Sequence, residues 1–251
     1  MEEPFVSPDD VLAIDIGATN IKFARVDAHG RLRSSHKRRP TPHPCTPERL
    51  VEWVVQRTQN FVIDRVGIGF PGEFEDGCVV RPGNLSRVGG VGTEIDAALD
   101  EQWGGFALEQ TLRARTGRDV RVVNDATLAA LGCCRGEGTE LVVTLGTGCG
   151  VALQVEGERR RIRDLGRLDF DTGRSFDQAL GERARARDDA AWRTDVRGAV
   201  DALAKEFDAS MVYLAGGNAR RISVDLFDSV PYEITIAGNE ASLRGAARLF
   251  R

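Results

Sequence analysis

The chain has 251 residues, 41% of them hydrophobic, enough to bury a sizeable core in one domain or two small lobes. Its formal charge of -4 comes from 34 basic and 38 acidic residues, and this near balance excludes a polybasic nucleic-acid surface. No apolar run approaches the length of a membrane span, and the acidic start Met1-Glu-Glu-Pro-Phe lacks the basic and apolar regions of a signal peptide. The expectation is a cytoplasmic protein with neither nucleic acid nor membrane as partner.

Val11 to Ile16 is an apolar run with one carboxylate, Asp15, near its end. Gly17-Ala-Thr-Asn20 follows as a turn, and Ile21 to Val26 is apolar again, so the stretch reads as strand, turn, strand. A glycine lets backbone approach a ligand, and successive turn N–H groups cradle phosphate oxygens. Thr19, Asn20 and Lys22 add side-chain donors. A carboxylate beside a phosphate seat makes sense where a divalent cation sits between them. An ordinary hairpin whose Asp caps its own turn is the bland alternative. Arg31 to Arg38 reads as a polar edge strand, the short basic run Lys37-Arg38-Arg39 as solvated charge, and Pro40-Thr-Pro-His-Pro44 as a linker-like bend. Thr46 is an N-cap, with Pro47 at the first helical position and a helix running to Phe61 whose apolar face holds Leu50, Val54 and Val55, with Trp53 in the core.

Arg65 to Gly72 is a short strand entering a Gly-Pro turn, where glycine backbone suits either close approach of a small ligand at Gly72 or a hairpin corner. Asn84 offers a donor and an acceptor suited to a sugar hydroxyl, although an Asn after Gly is commonly a turn residue. Residues 86–105 read as a Gly-rich surface excursion with Trp103 as its anchor. A helix from Phe106 to Thr116 ends at Gly117, and Val120 to Val123 is a strand. Asn124-Asp125 stands where that strand becomes a helix. Plain N-capping is one reading; a carboxylate that takes a proton from a hydroxyl attacking phosphorus is the other.

Leu141 to Val155 repeats the first pattern, with Gly146-Thr-Gly148 as the turn. Two such hairpins suggest two related lobes facing a cleft, the plan of an α/β, actin-like, hexokinase-type (ribonuclease H-like) ATPase fold. The N-terminal lobe is expected over 1–123, closed by a C-terminal helix over 241–251, and the second lobe over 124–240. Ser175 to Arg187 and Ala190 to Phe207 read as helices, Met211 to Asn218 as a strand entering a Gly216-Gly217 turn, and Tyr232 to Ile236 as a last strand. The five cysteines, with Cys133 and Cys134 adjacent, show no disulfide framework and no zinc spacing, and Cys149 is most simply a small turn residue.

In order, Asp15-Ile-Gly-Ala-Thr-Asn-Ile-Lys22, Gly69-Phe-Pro-Gly72, Pro82-Gly-Asn-Leu85, Val123-Asn-Asp-Ala126, Thr144 to Gly150, Tyr213 to Asn218 and Gly238 to Ala241 resemble the ROK family of sugar kinases and sugar-responsive repressors, in its polyphosphate glucokinase-like branch. The resemblance implies that Asp15 holds Mg2+ and that the turns with Gly17, Thr19, Asn20 and Lys22, and with Gly146, Thr147 and Gly148, bind the phosphates of ATP or polyphosphate. It implies that Gly216 and Gly217 lie near that donor, that Asn84, Asn124 and Asp125 bind the sugar, and that Asp125 is the base. Family kinases carry Glu and His in a Glu-x-Gly-His or Glu-x-Ala-His run after the second hairpin; here the run is Asp164-Leu-Gly-Arg167. The Asp keeps the charge on a shorter arm, whereas Arg puts a permanent cation where a compact neutral ring is usual. The acceptor sugar is therefore open, and a non-catalytic sugar- or nucleotide-binding relative is the competing reading. A repressor would carry an N-terminal helix-turn-helix, for which the residues before the first strand leave no room. No zinc is expected, and a homodimer would be in keeping with the family.

Overall fold

The computed structural model describes residues 7–89, 93–162, 165, 166 and 168–251. It contains strands β1 (Val11–Ile16), β2 (Asn20–Val26), β3 (Lys37–Pro40), β4 (Arg65–Phe70), β5 (Glu73–Glu75), β6 (Cys78–Arg81), β7 (Asp119–Asn124), β8 (Thr139–Leu145), β9 (Cys149–Val155), β10 (Glu158–Arg160), β11 (Asp169–Asp171), β12 (Arg174–Ser175), β13 (Met211–Ala215) and β14 (Glu233–Gly238). The helices are α1 (Pro47–Thr58), α2 (Ala97–Trp103), α3 (Leu108–Thr116), α4 (Asp125–Cys133), α5 (Phe176–Leu180), α6 (Glu182–Arg187), α7 (Asp189–Glu206) and α8 (Ala241–Gly245). The chain divides into residues 1–128 with 243–251, and residues 129–242. The divide falls inside α4 and not before Asn124, because Leu128 packs with Leu243, Ala246 and Ala247 on the first unit's sheet.

The first unit is built on a sheet ordered β3-β2-β1-β4-β7. β1 and β2 form the antiparallel hairpin, with Asp15 opposite Lys22, while β4 joins β1 and β7 joins β4 in parallel. Both faces are covered, so β1 reads as a continuous apolar run rather than an alternation. Leu12, Ile14 and Ile16 face one core with Leu50, Val54, Ile68 and Trp103; Val11 and Ala13 face the other with the C-terminal segment. α1 begins as its sequence dictates, with Thr46 accepting from the Arg49 N–H and Pro47 in the first turn.

The second unit repeats the topology as β10-β9-β8-β13-β14, again an antiparallel hairpin with two parallel strands added. Its core gathers Leu141, Val143, Trp192, Val196, Val200, Val212 and Leu214. The order and the helices on the sheets give the α/β, actin-like, hexokinase-type fold.

Three further expectations need correction. Residues 86–105 are not wholly an irregular excursion: Asp96 caps α2, and Leu99 and Trp103, four residues apart, bury one face of it. The Gly content of the stretch hides that spacing. The helix expected over Ser175 to Arg187 is two, α5 and α6, parted at Gly181, whose backbone is extended. The polar edge strand is shorter and later than Arg31 to Arg38; β3 pairs with β2 from Lys37, and the preceding residues contribute only a bridge between Val26 and Leu32.

Candidate active site

In the first unit the Gly17–Asn20 turn closes with the Gly17 N–H donating to Asn20 O at 3.0 Å. The turn's carbonyls are engaged from behind. Thr41 Oγ1 donates to Gly17 O at 2.6 Å, the Thr41 N–H to Thr19 O at 3.0 Å, and His43 Nε2 to Ala18 O at 3.1 Å. At the end of β1, Asp15 is mostly buried and ion-paired with Lys22 Nζ at 2.8 Å. The pairing follows from their facing positions in the hairpin.

Gly69 on β4 brings two carboxylate-bearing residues together. A Cβ there would press on Leu128 Cδ2 at 2.9 Å and lie 3.3 Å from the Asp125 Cα and 3.5 Å from Asp15 Oδ1, so both residues pack around this bare backbone. Asp125 is half-buried at the start of α4, with Oδ1 accepting from the Ala126 N–H at 2.8 Å. Asn124 Oδ1 accepts from the N–H groups of Ala126 and Thr127, and its Nδ2 donates to Gly72 O at 2.9 Å. Helix capping thus occupies the Asn124 oxygen, and one amide hydrogen remains for a ligand. Gly72 packs so closely on Arg81 O and Gly83 N that no side chain fits, which brings the start of the Gly83–Ser86 turn, in which Asn84 stands, against the residue that Asn124 tethers. Asn84 Oδ1 accepts from Arg87 Nε at 2.9 Å. The fold therefore gathers Asp15, Lys22, Gly72, Asn84, Asn124 and Asp125 in one unit, although they span more than a hundred residues of sequence.

In the second unit the Gly146–Gly148 turn closes with the Gly146 N–H donating to Gly148 O at 3.0 Å. The Glu182 N–H donates to Gly146 O at 3.0 Å, and Asn218 Nδ2 donates to the same oxygen at 3.1 Å. Arg185, then Asn218, hold the Glu182 carboxyl below the usual range. Gly216 lies under the turn, close to Leu145 O, whereas among the described residues no atom beyond the chain neighbours lies within 4 Å of a Cβ placed on Gly146 or Gly217. Nothing among the described residues demands glycine at those two positions; open space over bare backbone is what a close-approaching ligand needs. Cys149 is buried and opens β9 opposite Leu145, so it is a packed strand residue at the edge of the turn expected from the sequence. Asp164 and Arg167 lie outside the described residues.

One residue with a part in the site escaped the sequence reading. Asp177 Oδ1 accepts from the Cys149 N–H at 2.7 Å, and its carboxylate lies against Gly148 and Gly166. The capping box of Ser175 and Gln178 marks a helix start and would have placed Asp177 in its first turn, but no spacing in the chain links it to Cys149.

A magnesium ion bound with a phosphate chain needs only one or two protein carboxylates, the remaining positions going to phosphate and water. Asp15, a single mostly buried carboxylate at the mouth of the Gly17–Asn20 turn, fits that demand. Among the described residues no three His, Cys, Asp or Glu side chains cluster as an all-protein metal cage.

The ROK family model matches residues 11–161. A glucokinase of Streptomyces coelicolor is 30% identical over 159 residues, which are 60% of this chain and 45% of that protein. An N-acetyl-D-glucosamine kinase of Salmonella paratyphi C is 35% identical over 155 residues, 57% of this chain and 46% of the relative. The matches thus span about half the length of these curated relatives. Among solved structures, an inorganic polyphosphate/ATP-glucomannokinase from Arthrobacter sp. strain KM superposes with a TM-score of 0.76 at 29% identity, over 96% of this chain and 97% of that one. A ROK family glucokinase from Streptomyces griseus, solved with glucose and AMPPNP, is similar in fold, with a TM-score of 0.69 at 21% identity over 96% and 98% of the two chains. The family match runs from the first hairpin through the second turn, more than half of the sequence, and the chain belongs to the ROK family.

Proposed function

We propose that the chain is a sugar kinase that transfers a phosphoryl group from ATP or polyphosphate to a sugar hydroxyl, in the manner of a glucokinase. The observation that carries this reading is the approach of Asp15 and Asp125 to Gly69, beside the Gly17–Asn20 turn. Phosphoryl transfer asks a protein for positioning, charge neutralisation and one base, and these residues are of the types required.

The donor's phosphates fall to the Gly17–Asn20 and Gly146–Gly148 turns, with Gly216 and Gly217 near the donor. Lys22 balances the Asp15 carboxylate and adds a cation at the first turn. Asp15 would hold Mg2+, which supplies neutralisation of the charge on the phosphate oxygens. Asn84 and the remaining Asn124 amide hydrogen orient the acceptor, with the Gly72 backbone alongside. Asp125 accepts the proton of the acceptor hydroxyl as its oxygen bonds to the terminal phosphorus. The bond from that phosphorus to its bridging oxygen breaks, leaving sugar phosphate and ADP, or a polyphosphate shorter by one unit.

Asp164 and Arg167 fall where the family resemblance implies sugar contacts, so they retune the acceptor. A site built for one hydroxyl pattern rejects others strongly. The competing reading, a non-catalytic sugar- or nucleotide-binding relative, rests on the same two residues. A coupled transfer assay over hexoses, hexosamines and sugar acids, with ATP and polyphosphate in parallel, decides between them. Turnover on one class of acceptor is expected. No turnover from folded protein that still binds nucleotide or sugar would establish the non-catalytic reading.

A further inference from the structure

The Pro40–Pro44 segment looks like a mere bend in the sequence, yet it supplies every hydrogen bond described above to the carbonyls of Gly17, Ala18 and Thr19. Its composition explains how. Prolines at 40, 42 and 44 fix their own φ angles, and a residue before proline is held extended. In an extended segment residues two apart share a face, so Thr41 and His43 present their side chains on the same side. Thr41 is buried and uses both its hydroxyl and its N–H on the turn. A carbonyl oxygen only accepts, so the hydrogen of His43 sits on Nε2; its Nδ1 is enclosed without a hydrogen-bond partner among the described residues.

The consequence lies on the far side of the turn. In a trans peptide the N–H points opposite to the preceding carbonyl. Holding the carbonyls of Gly17, Ala18 and Thr19 toward the strap therefore turns the N–H groups of Ala18, Thr19 and Asn20 the other way, as a set. Successive N–H groups with a common direction form an anion-binding concavity. We propose that Pro40–Pro44 is a rigid strap in which Thr41 and His43 are positioning residues, aiming the amides of the Gly17–Asn20 turn at the phosphate oxygens of the donor. The proposal rests on the donor seat assigned above, and adds to it which residues set its geometry.

The test uses Thr41→Val and His43→Leu, with Thr41→Ser and His43→Gln as variants that restore a donor. Binding of AMPPNP and of tripolyphosphate is measured by calorimetry, binding of the accepted sugar separately, and amide hydrogen exchange is followed in the peptide carrying residues 17–20. Thr41→Val and His43→Leu are expected to weaken both phosphate ligands about tenfold each, the worth of one hydrogen bond. They should speed exchange in the turn and leave sugar affinity unchanged, and Ser and Gln should recover most of the loss. A structural role alone would lower sugar and donor binding together and would not be rescued by a hydroxyl or an amide. Unchanged exchange in the turn, or unchanged donor affinity in folded variants, overturns the proposal. If the unaltered protein binds neither phosphate ligand, the kinase reading and the aiming role fall together, while exchange still decides whether the strap fixes the turn.

Discussion

In the first unit the carbonyls of the Gly17–Asn20 turn are held by Thr41 and His43, 24 and 25 residues from their partners. In the second unit Gly146 O is held by the main chain of Glu182 and by Asn218, 72 residues away, while Asp177 takes the Cys149 N–H. The two hairpins share their sheet topology but not their buttresses. The first turn leans mainly on side chains of a stiff neighbouring segment. The second leans on the Glu182 main chain and the Asn218 amide, with one carboxylate as a clasp. A duplicated scaffold thus fixes where a turn lies, and unrelated residues fix how it is aimed.

That contrast is most sharply tested at Gly181. A Cβ there would collide with Thr147 O and approach Asp177 O at 2.5 Å. Gly181→Ala is expected to destabilise the protein by about 1–3 kcal/mol, the usual cost of overpacking, read from urea midpoints. Gly146→Ala should leave the midpoint nearly unchanged and weaken donor binding, since only a ligand would meet its methyl group. Equal effects on stability would break the distinction between buttress and seat.

Much of this could be read before any fold was known. β1, β2, β8 and β9 announced themselves as apolar runs broken by Gly/Thr turns, and Thr46-Pro47 marked the start of α1. Pairings between distant segments could not be read. Asp177 and Cys149 meet because α5 is folded under the turn, and the dual duty of Asn124, cap and tether, depends on Gly72 arriving at its amide. Hydrophobic period registers an element's face, not which polar atom of another element it will meet. The same limit concealed α2, where two buried residues had to outweigh a Gly-rich flank.

The clasp gives the next largest effect. Asp177→Ala leaves the Cys149 N–H without its acceptor, and a loss of about 1–3 kcal/mol is expected in the same urea experiment. Asp177→Asn keeps an acceptor oxygen and should recover part of it. Recovery as complete with Ala as with Asn would show that the clasp is dispensable.

In the first unit, Asn124→Ala removes the cap of α4 and is expected to cost about 1 kcal/mol. The tether to Gly72 goes with it, so the KM for the acceptor should rise more than the KM for the donor. Equal rises would place Asn124 outside acceptor orientation.

The smallest effect concerns acid. Burial raises the pKa of Asp27, but the N–H groups of Arg31 and His29, and the Arg33 guanidinium, outweigh it and hold the carboxyl below its ordinary value. A group whose folded pKa is depressed stabilises above its unfolded pKa, about 3.9 for Asp, and that stability fades as pH falls through the folded value. Asp27→Asn should therefore flatten the fall in stability below about pH 4. An unchanged slope would exclude Asp27 from the acid response of the first unit.

The central claim is that Asp125 is the base of a transfer reaction seated on the first unit, and Asp125→Asn tests it most directly. Single-turnover transfer from ATP or polyphosphate to the accepted sugar would be measured beside AMPPNP binding and the urea midpoint. The prediction is a fall in the transfer rate of about 10²–10⁴, the range for loss of a general base, with nucleotide affinity and stability little changed. Transfer that survives in the Asn variant, or that falls only because the variant unfolds or no longer binds nucleotide, would contradict it.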